Sequence, residues 1–134
     1  MPLISIVDDD ESVREAIESL MKSVGYTAKV FPSASEFLRS GCLDFTGCLI
    51  LDVQMPGMSG LELQNHLVAS KCRIPIVFIS AHCDEDARAR AFKAGAVGFL
   101  QKPFSEDALL DALNASLAIH AARGGDPPNP DRFV

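Results

Sequence analysis

Five polar residues stand where short apolar runs end. Asp8 and Asp9 follow Leu3 to Val7, and Asp52 follows Cys48 to Leu51. Ser80 follows Pro75 to Ile79, and Lys102 comes just after Val97 to Leu100. Brought together, these groups would have a narrow chemistry. Carboxylates packed closely raise one another's pKa unless a cation is bound. An oxygen-only donor set with few protein atoms suits Mg²⁺, which keeps several waters and readily takes a phosphate oxygen. A carboxylate beside Mg²⁺, with a lysine and a serine placed to hold phosphoryl oxygens, is an arrangement for making an acyl phosphate on aspartate.

Whether they meet depends on the elements around them. Val13, Ala16, Ile17, Leu20, Met21 and Val24 recur at helical spacing and predict a helix with one buried stripe, ended by Gly25. Thr27 to Phe31 reads as a second strand, and Ser33-x-x-Glu36 as a capping box opening a short helix that stops at Gly41. Ser59-x-x-Glu62 opens another helix, which carries Leu63, Leu67 and Val68. Asp84 to Ala94 forms a fourth that stops at Gly95, and Ser105 caps a last one running to about Ala122. Five strands alternating with five helices give an α/β class with a parallel sheet. The first, third, fourth and fifth runs are continuously apolar, as in strands covered on both faces, while Thr27 and Lys29 mark the second as an edge. In an open parallel sheet the carboxyl ends of the strands share one edge, where ligands bind. The five polar residues are therefore expected to converge there.

Composition narrows the classes further. The 134 residues make one domain, and a 48% hydrophobic share can build a core without disulfides or a structural metal. Eighteen acidic residues against twelve basic ones give a net charge of -6, which argues against nucleic-acid binding by this chain. No apolar run approaches the roughly 18 residues of a membrane span, and no basic segment precedes an apolar stretch at the N-terminus. Cys42, Cys48, Cys72 and Cys83 form no C-x-x-C pair, so reduced thiols in a cytoplasmic protein are expected. His66, His82 and His120 are too scattered for a metal face. The domain is expected over residues 1–122. Residues 123–134, with three prolines from Gly124 onward, read as a flexible tail or the start of an interdomain linker.

The segments Ile6-Val7-Asp8-Asp9-Asp10, Leu51-Asp52-Val53-Gln54-Met55-Pro56-Gly57, Ile79-Ser80-Ala81 and Lys102-Pro103-Phe104 closely resemble the receiver domain of bacterial two-component response regulators. The resemblance covers about residues 3 to 121, with the four motifs in the right order and at the right intervals. It implies a flavodoxin-like, doubly wound sheet of strand order 2-1-3-4-5. It implies that Asp52 accepts a phosphoryl group from a sensor histidine kinase, and that Asp8 and Asp9 form an acidic pocket. Asp9, Asp52 and the backbone carbonyl of Gln54 would ligate Mg²⁺. Ser80 and Lys102 match the phosphoryl-binding positions, Phe99 the aromatic switch position, and Pro103 a position usually preceded by a cis bond. Gln54 and His82 fall where the family varies its dephosphorylation rate, and both are expected to face the phosphoryl group. Such a domain is a switch rather than an enzyme, limited to self-phosphorylation from small donors and autodephosphorylation. Phosphorylation-dependent dimers through the fourth helix, fifth strand and fifth helix are also implied.

Each residue also has a plainer reading. Asp8, Asp9 and Asp10 could cap the first helix, and Asp10 fits that role better than a ligand's. Alone, Asp52 would be a turn residue, Ser80 a loop hydroxyl and Lys102 a solvated charge; the set lifts each above that baseline. Phe99 could be an ordinary core aromatic, and Met55 and Met58 gap-fillers beside a loop. Arg88, Arg90 and Lys93 read as a solvated helix face or a partner surface. A haloacid-dehalogenase-type phosphatase would show D-x-D-x-T, whereas Asp52 is followed by Val53-Gln54-Met55-Pro56. A flavodoxin-like electron carrier would not place three acids where FMN phosphate binds. A degenerate receiver is unsupported because Asp9, Asp52, Ser80 and Lys102 are all present. The helices resemble receivers of the nitrogen-fixation type that precede a LuxR-type DNA-binding domain. The chain is thus expected to be either part of a longer regulator or a stand-alone receiver acting on a protein.

Overall fold

The computed structural model describes residues 2–82 and 84–123, so the tail beyond Arg123 lies outside the described residues. Strands β1 (Leu3–Val7), β2 (Thr27–Phe31), β3 (Thr46–Asp52), β4 (Ile76–Ser80) and β5 (Gly98–Gln101) form one parallel sheet of order 2-1-3-4-5. Helices α1 (Glu11–Ser23), α2 (Ala34–Arg39), α3 (Gly60–Ala69), α4 (Glu85–Lys93) and α5 (Glu106–Ala122) connect and follow the strands. This is the expected flavodoxin-like architecture.

Alternation along each strand splits the core in two. Leu49, Leu51 and Phe78 face one side with Phe37, Leu63, Leu67 and Ala91 of α2, α3 and α4. Cys48, Ile50, Val77 and Ile79 face the other with Ile17, Met21, Leu109 and Leu113 of α1 and α5. Each such fully buried aliphatic or aromatic side chain contributes roughly 1.5–3 kcal/mol relative to exposure, which is why Cys48 to Leu51 of β3 and Ile76 to Ile79 of β4 are apolar without interruption. Burial also pushes the Cys48 thiol up to about 12, slightly offset by the Ser116 hydroxyl, so it is inert packing.

Local signals set the helix ends. Ser59 and Glu62 form a complete capping box on α3, whereas at α2 only the Ser33 half is made. Gly25, with φ +91°, supplies the left-handed turn after α1. Several boundaries and exposures differ from the pattern. A 3₁₀ turn, Cys42–Phe45, precedes β3, which itself starts two residues earlier than its apolar run. Val24 and Val68 keep helical spacing but are 43% and 52% exposed, and Ala16 is also exposed. The fifth strand, apolar up to Leu100, is a half-buried edge because among the described residues nothing pairs with its far side.

Candidate functional site

The sheet register brings the strand-end residues together. Val7 lies beside Leu51, so the next residues, Asp8 and Asp52, are neighbours. Asp52 aligns with Ile79, the residue before Ser80, and Ser80 aligns with Gln101, the residue before Lys102. The Lys102 N–H donates to the Ser80 carbonyl at 2.7 Å, tying the loop after β5 to β4. The Lys102–Pro103 peptide is cis.

Side chains then close on one point. Lys102 Nζ donates to Asp8 Oδ2 at 2.8 Å and lies 3.6 Å from Asp52 Oδ1. Asp8 Oδ1 accepts the N–H of Asp10 at 2.8 Å. Asp8, Asp9 and Asp52 each offer a carboxylate oxygen, all within 4.8 Å of one another. Asp8 is wholly buried and Asp52 nearly so, while Asp9 is exposed. Both Asp8 oxygens are already engaged, which leaves Asp9 and Asp52 as the freer donors. Asp10 stands apart from the cluster as the N-cap of α1, accepting from Ser12 N–H at 2.8 Å.

The charges in this cluster oppose each other. Burial and then the Asp8 charge push Asp52 up to about 7, against the lowering pull of Lys102; Asp9 adds to the rise. Burial alone would lower the Lys102 pKa, but the hydrogen bond to Asp8 and the charges of Asp52 and Asp8 outweigh it, and the ammonium is held above its ordinary value. One cation against three carboxylates is an unbalanced set, and an oxygen-only triad of this kind fits a hard divalent ion such as Mg²⁺.

The remaining sequence candidates occupy distinct settings. Ser80 is buried, and its hydroxyl bonds the main chain of His82 rather than Asp52. Phe99 is half-buried on β5, its ring 6.1 Å from that of Phe78. Gln54 and His82 are exposed on the loops after β3 and β4. Met55 packs into the core and Met58 lies against it, as gap-fillers do.

Two residues that the motifs did not single out also hold the site. Gly60 opens α3 with its N–H on the Val53 carbonyl at 2.9 Å, and a Cβ there would strike the Asp52 carbonyl oxygen. The only sequence signal was its place after the Ser59 cap. Arg14 donates from Nη1 to the Asp8 carbonyl at 2.8 Å. It lies one helical turn past Asp10, and helical side chains lean back toward the N-terminus.

Known proteins share this arrangement of elements. A family model for the response regulator receiver domain matches residues 4–114. The response regulator protein TodT of Pseudomonas putida is 46% identical over 126 residues, covering 94% of this chain and 56% of that protein. The transcriptional regulatory protein FixJ of Azorhizobium caulinodans is 38% identical, covering 90% of this chain and 57% of its own length. The chain thus spans about half the length of these curated relatives. Among solved structures, the response regulator StyR superposes with a TM-score of 0.86 at 51% identity, over 91% of this chain and 62% of that one. FixJ-N does so with a TM-score of 0.79 at 35% identity, over 87% and 93%. The family match runs from the first strand into the last helix and takes in every residue of the acidic cluster; the chain belongs to the response regulator receiver domain family.

Proposed function

We propose that this domain is a phosphorylation switch in which Asp52 takes a phosphoryl group from a histidine of a sensor kinase. The observation that carries the reading is Lys102 bridging Asp8 and Asp52 at the rim of three clustered carboxylates. A carboxylate oxygen of Asp52 attacks phosphorus as the P–N bond to the donor imidazole breaks, the electron pair leaving with the nitrogen. Lys102, a compact point charge, is placed to hold a phosphoryl oxygen. Asp9 and Asp52, with the Gln54 carbonyl, are the groups that would hold Mg²⁺, and Asp8 completes the acidic pocket. When bound, Mg²⁺ supplies positive charge that keeps Asp52 ionised and offsets the phosphoryl oxygens.

Phosphorylation adds charge and acceptor oxygens at Asp52. Ser80 can then exchange its His82 partners for a phosphoryl oxygen, and the freed loop gives Phe99 room to turn inward. The population shifts toward a conformer with an altered α4–β5 face. That face already carries the features of a contact surface. Phe92 is partly exposed beneath the Arg88 guanidinium, and Arg88 reaches toward the Phe99 carbonyl at 3.5 Å. Arg90 and Lys93 lie on the same helix, so α4, β5 and α5 are the surface proposed for phosphorylation-dependent dimers. Gln54 and His82, both exposed near Asp52, would tune the access of water to the phosphoryl group.

The kinase needs a surface beside Asp52. A groove of about 520 Å³ between α1 and the start of α5, lined by Val13, Ala16, Leu20, Phe104 and Leu109, runs up to Lys102. An Ala16→Glu change there should slow transfer from a phosphorylated kinase and leave labelling by acetyl phosphate untouched. The output is proposed to be transcription control by a longer parent protein, by analogy with FixJ, a transcriptional regulatory protein. No helix among the described residues is long and apolar enough to cross a membrane; a cytoplasmic site of action is part of the proposal.

Intact mass after incubation with acetyl phosphate, with and without Mg²⁺, tests the core of the reading. Wild type should gain one phosphoryl group only with Mg²⁺, and Asp52→Asn should gain none. An adduct indifferent to Asp52 would overturn it.

A further inference from the structure

Arg14 spends its charge in an unusual way for a helix surface arginine. Among the described residues its guanidinium pairs with no carboxylate, although Asp8, Asp9 and Asp10 make up the β1–α1 turn just before its helix. It donates instead to the main-chain carbonyl of Asp8, at 2.8 Å. Every polar group of Asp8 is thereby engaged: its N–H on the Phe31 carbonyl, Oδ1 on Asp10, Oδ2 on Lys102, and the carbonyl on Arg14.

The following residue is different. Asp9 is exposed, and its carboxylate lies within 4.8 Å of those of Asp8 and Asp52. The peptide between Asp8 and Asp9 is planar, so a bond that orients the Asp8 carbonyl also orients the Asp9 N–H and places the Asp9 Cα from which its side chain departs. Arg14 itself is fixed from behind, its N–H bonded to the Asp10 carbonyl at 3.0 Å. The turn is thus clasped from the helix that follows it.

We infer that Arg14 is a positioning residue for the cation site: by clasping the Asp8 carbonyl it presents the Asp9 carboxylate toward Asp52. The inference rests on the Mg²⁺ reading above. Charge and position make opposite demands here, which gives the idea a sign. Removing a cation near a dication relieves repulsion and should tighten binding. Removing an outer partner of a ligand loosens it, by about 10–100-fold in known metal sites.

Calorimetric titration of the full chain with Mg²⁺ distinguishes these, with urea unfolding as the check on folding. Arg14→Met should bind Mg²⁺ about tenfold more weakly. In acetyl phosphate labelling, its half-saturating Mg²⁺ should rise by the same factor while the rate at saturating Mg²⁺ stays near wild type. Equal or tighter binding overturns the proposal. Should Arg14→Met fail to fold, Arg14→Lys, which keeps the charge and loses the planar fork, decides by the same criterion. A wild type that takes up no Mg²⁺ would instead overturn the metal reading, and the assignment of Arg14 with it.

Discussion

Ser80 and His82 close a small ring between side chain and main chain. Ser80 Oγ donates to the His82 carbonyl at 3.0 Å and accepts from the His82 N–H at 3.1 Å. The single hydroxyl proton is therefore used on the loop entering α4, and it must be released before Ser80 can serve a phosphoryl oxygen. A hydrogen bond of this kind is worth about 1 kcal/mol net, so Ser80→Ala should weaken the shift to the active conformer about fivefold without abolishing phosphorylation. Hydrogen exchange over α4 and β5, with and without beryllofluoride, reads this directly. A full exchange response in the variant would show that Ser80 is not the link.

Asp52 predicts a pH dependence with a definite sign. Its pKa in the folded chain, about 7, lies above the ordinary 3.8, chiefly through burial and then Asp8. Between these values the folded state holds more proton than the unfolded, so this group's stabilisation is complete below about pH 4 and is lost as pH rises through about 7. Without Mg²⁺, Asp52→Asn should thus be more stable than wild type at about pH 8, by roughly 1–3 kcal/mol. The two should converge at low pH. Urea unfolding in EDTA across this range is the measurement, and parallel curves for the two proteins would refute the assignment.

Among the described residues Lys102 is the one ammonium paired with the cluster. Losing it leaves Asp8, wholly buried, without a cation. Breaking a buried pair from one side costs about 3–5 kcal/mol; with Lys102 itself 19% exposed, about 3 kcal/mol is expected for Lys102→Met. Mg²⁺ should restore part of this by binding the folded state alone. Thermal unfolding with and without Mg²⁺ tests both halves.

Gly60 sits against the backbone of Asp52, the proposed phosphoacceptor. A methyl group there meets the Asp52 carbonyl oxygen, which no side-chain rotation can move aside. Gly60→Ala should cost at least about 2 kcal/mol and displace Asp52 enough to slow labelling by acetyl phosphate. A variant with wild-type stability and labelling would mean that the β3–α3 loop yields freely.

The sequence carried most of the architecture because its signals are local. Apolar runs broken by Asp8, Asp52 and Ser80 identify buried strands and their ends within a few residues, and Ser59-x-x-Glu62 marks a helix start from hydrogen bonds made inside one turn. Exposure was less legible. Val24, Val68 and Ala16 keep the spacing of a buried stripe, yet they face solvent because burial depends on which helix or strand lies opposite. The fifth strand reads like a central one, and only the pairing order makes it an edge.

Residue types at strand ends, and hence the kind of chemistry available, were determined by the sequence itself. The contact between Lys102 and Asp8, 94 positions apart, was decided by the register of four parallel strands. The folded loops at the strand ends decided the clasp of Arg14 on a main-chain carbonyl, the close approach of Gly60 to Asp52, and the engagement of the Ser80 hydroxyl with His82. Each uses a backbone group, and every residue has the same backbone donors and acceptors. Nothing in residue identity announces which of them a neighbour will find; only the folded geometry does.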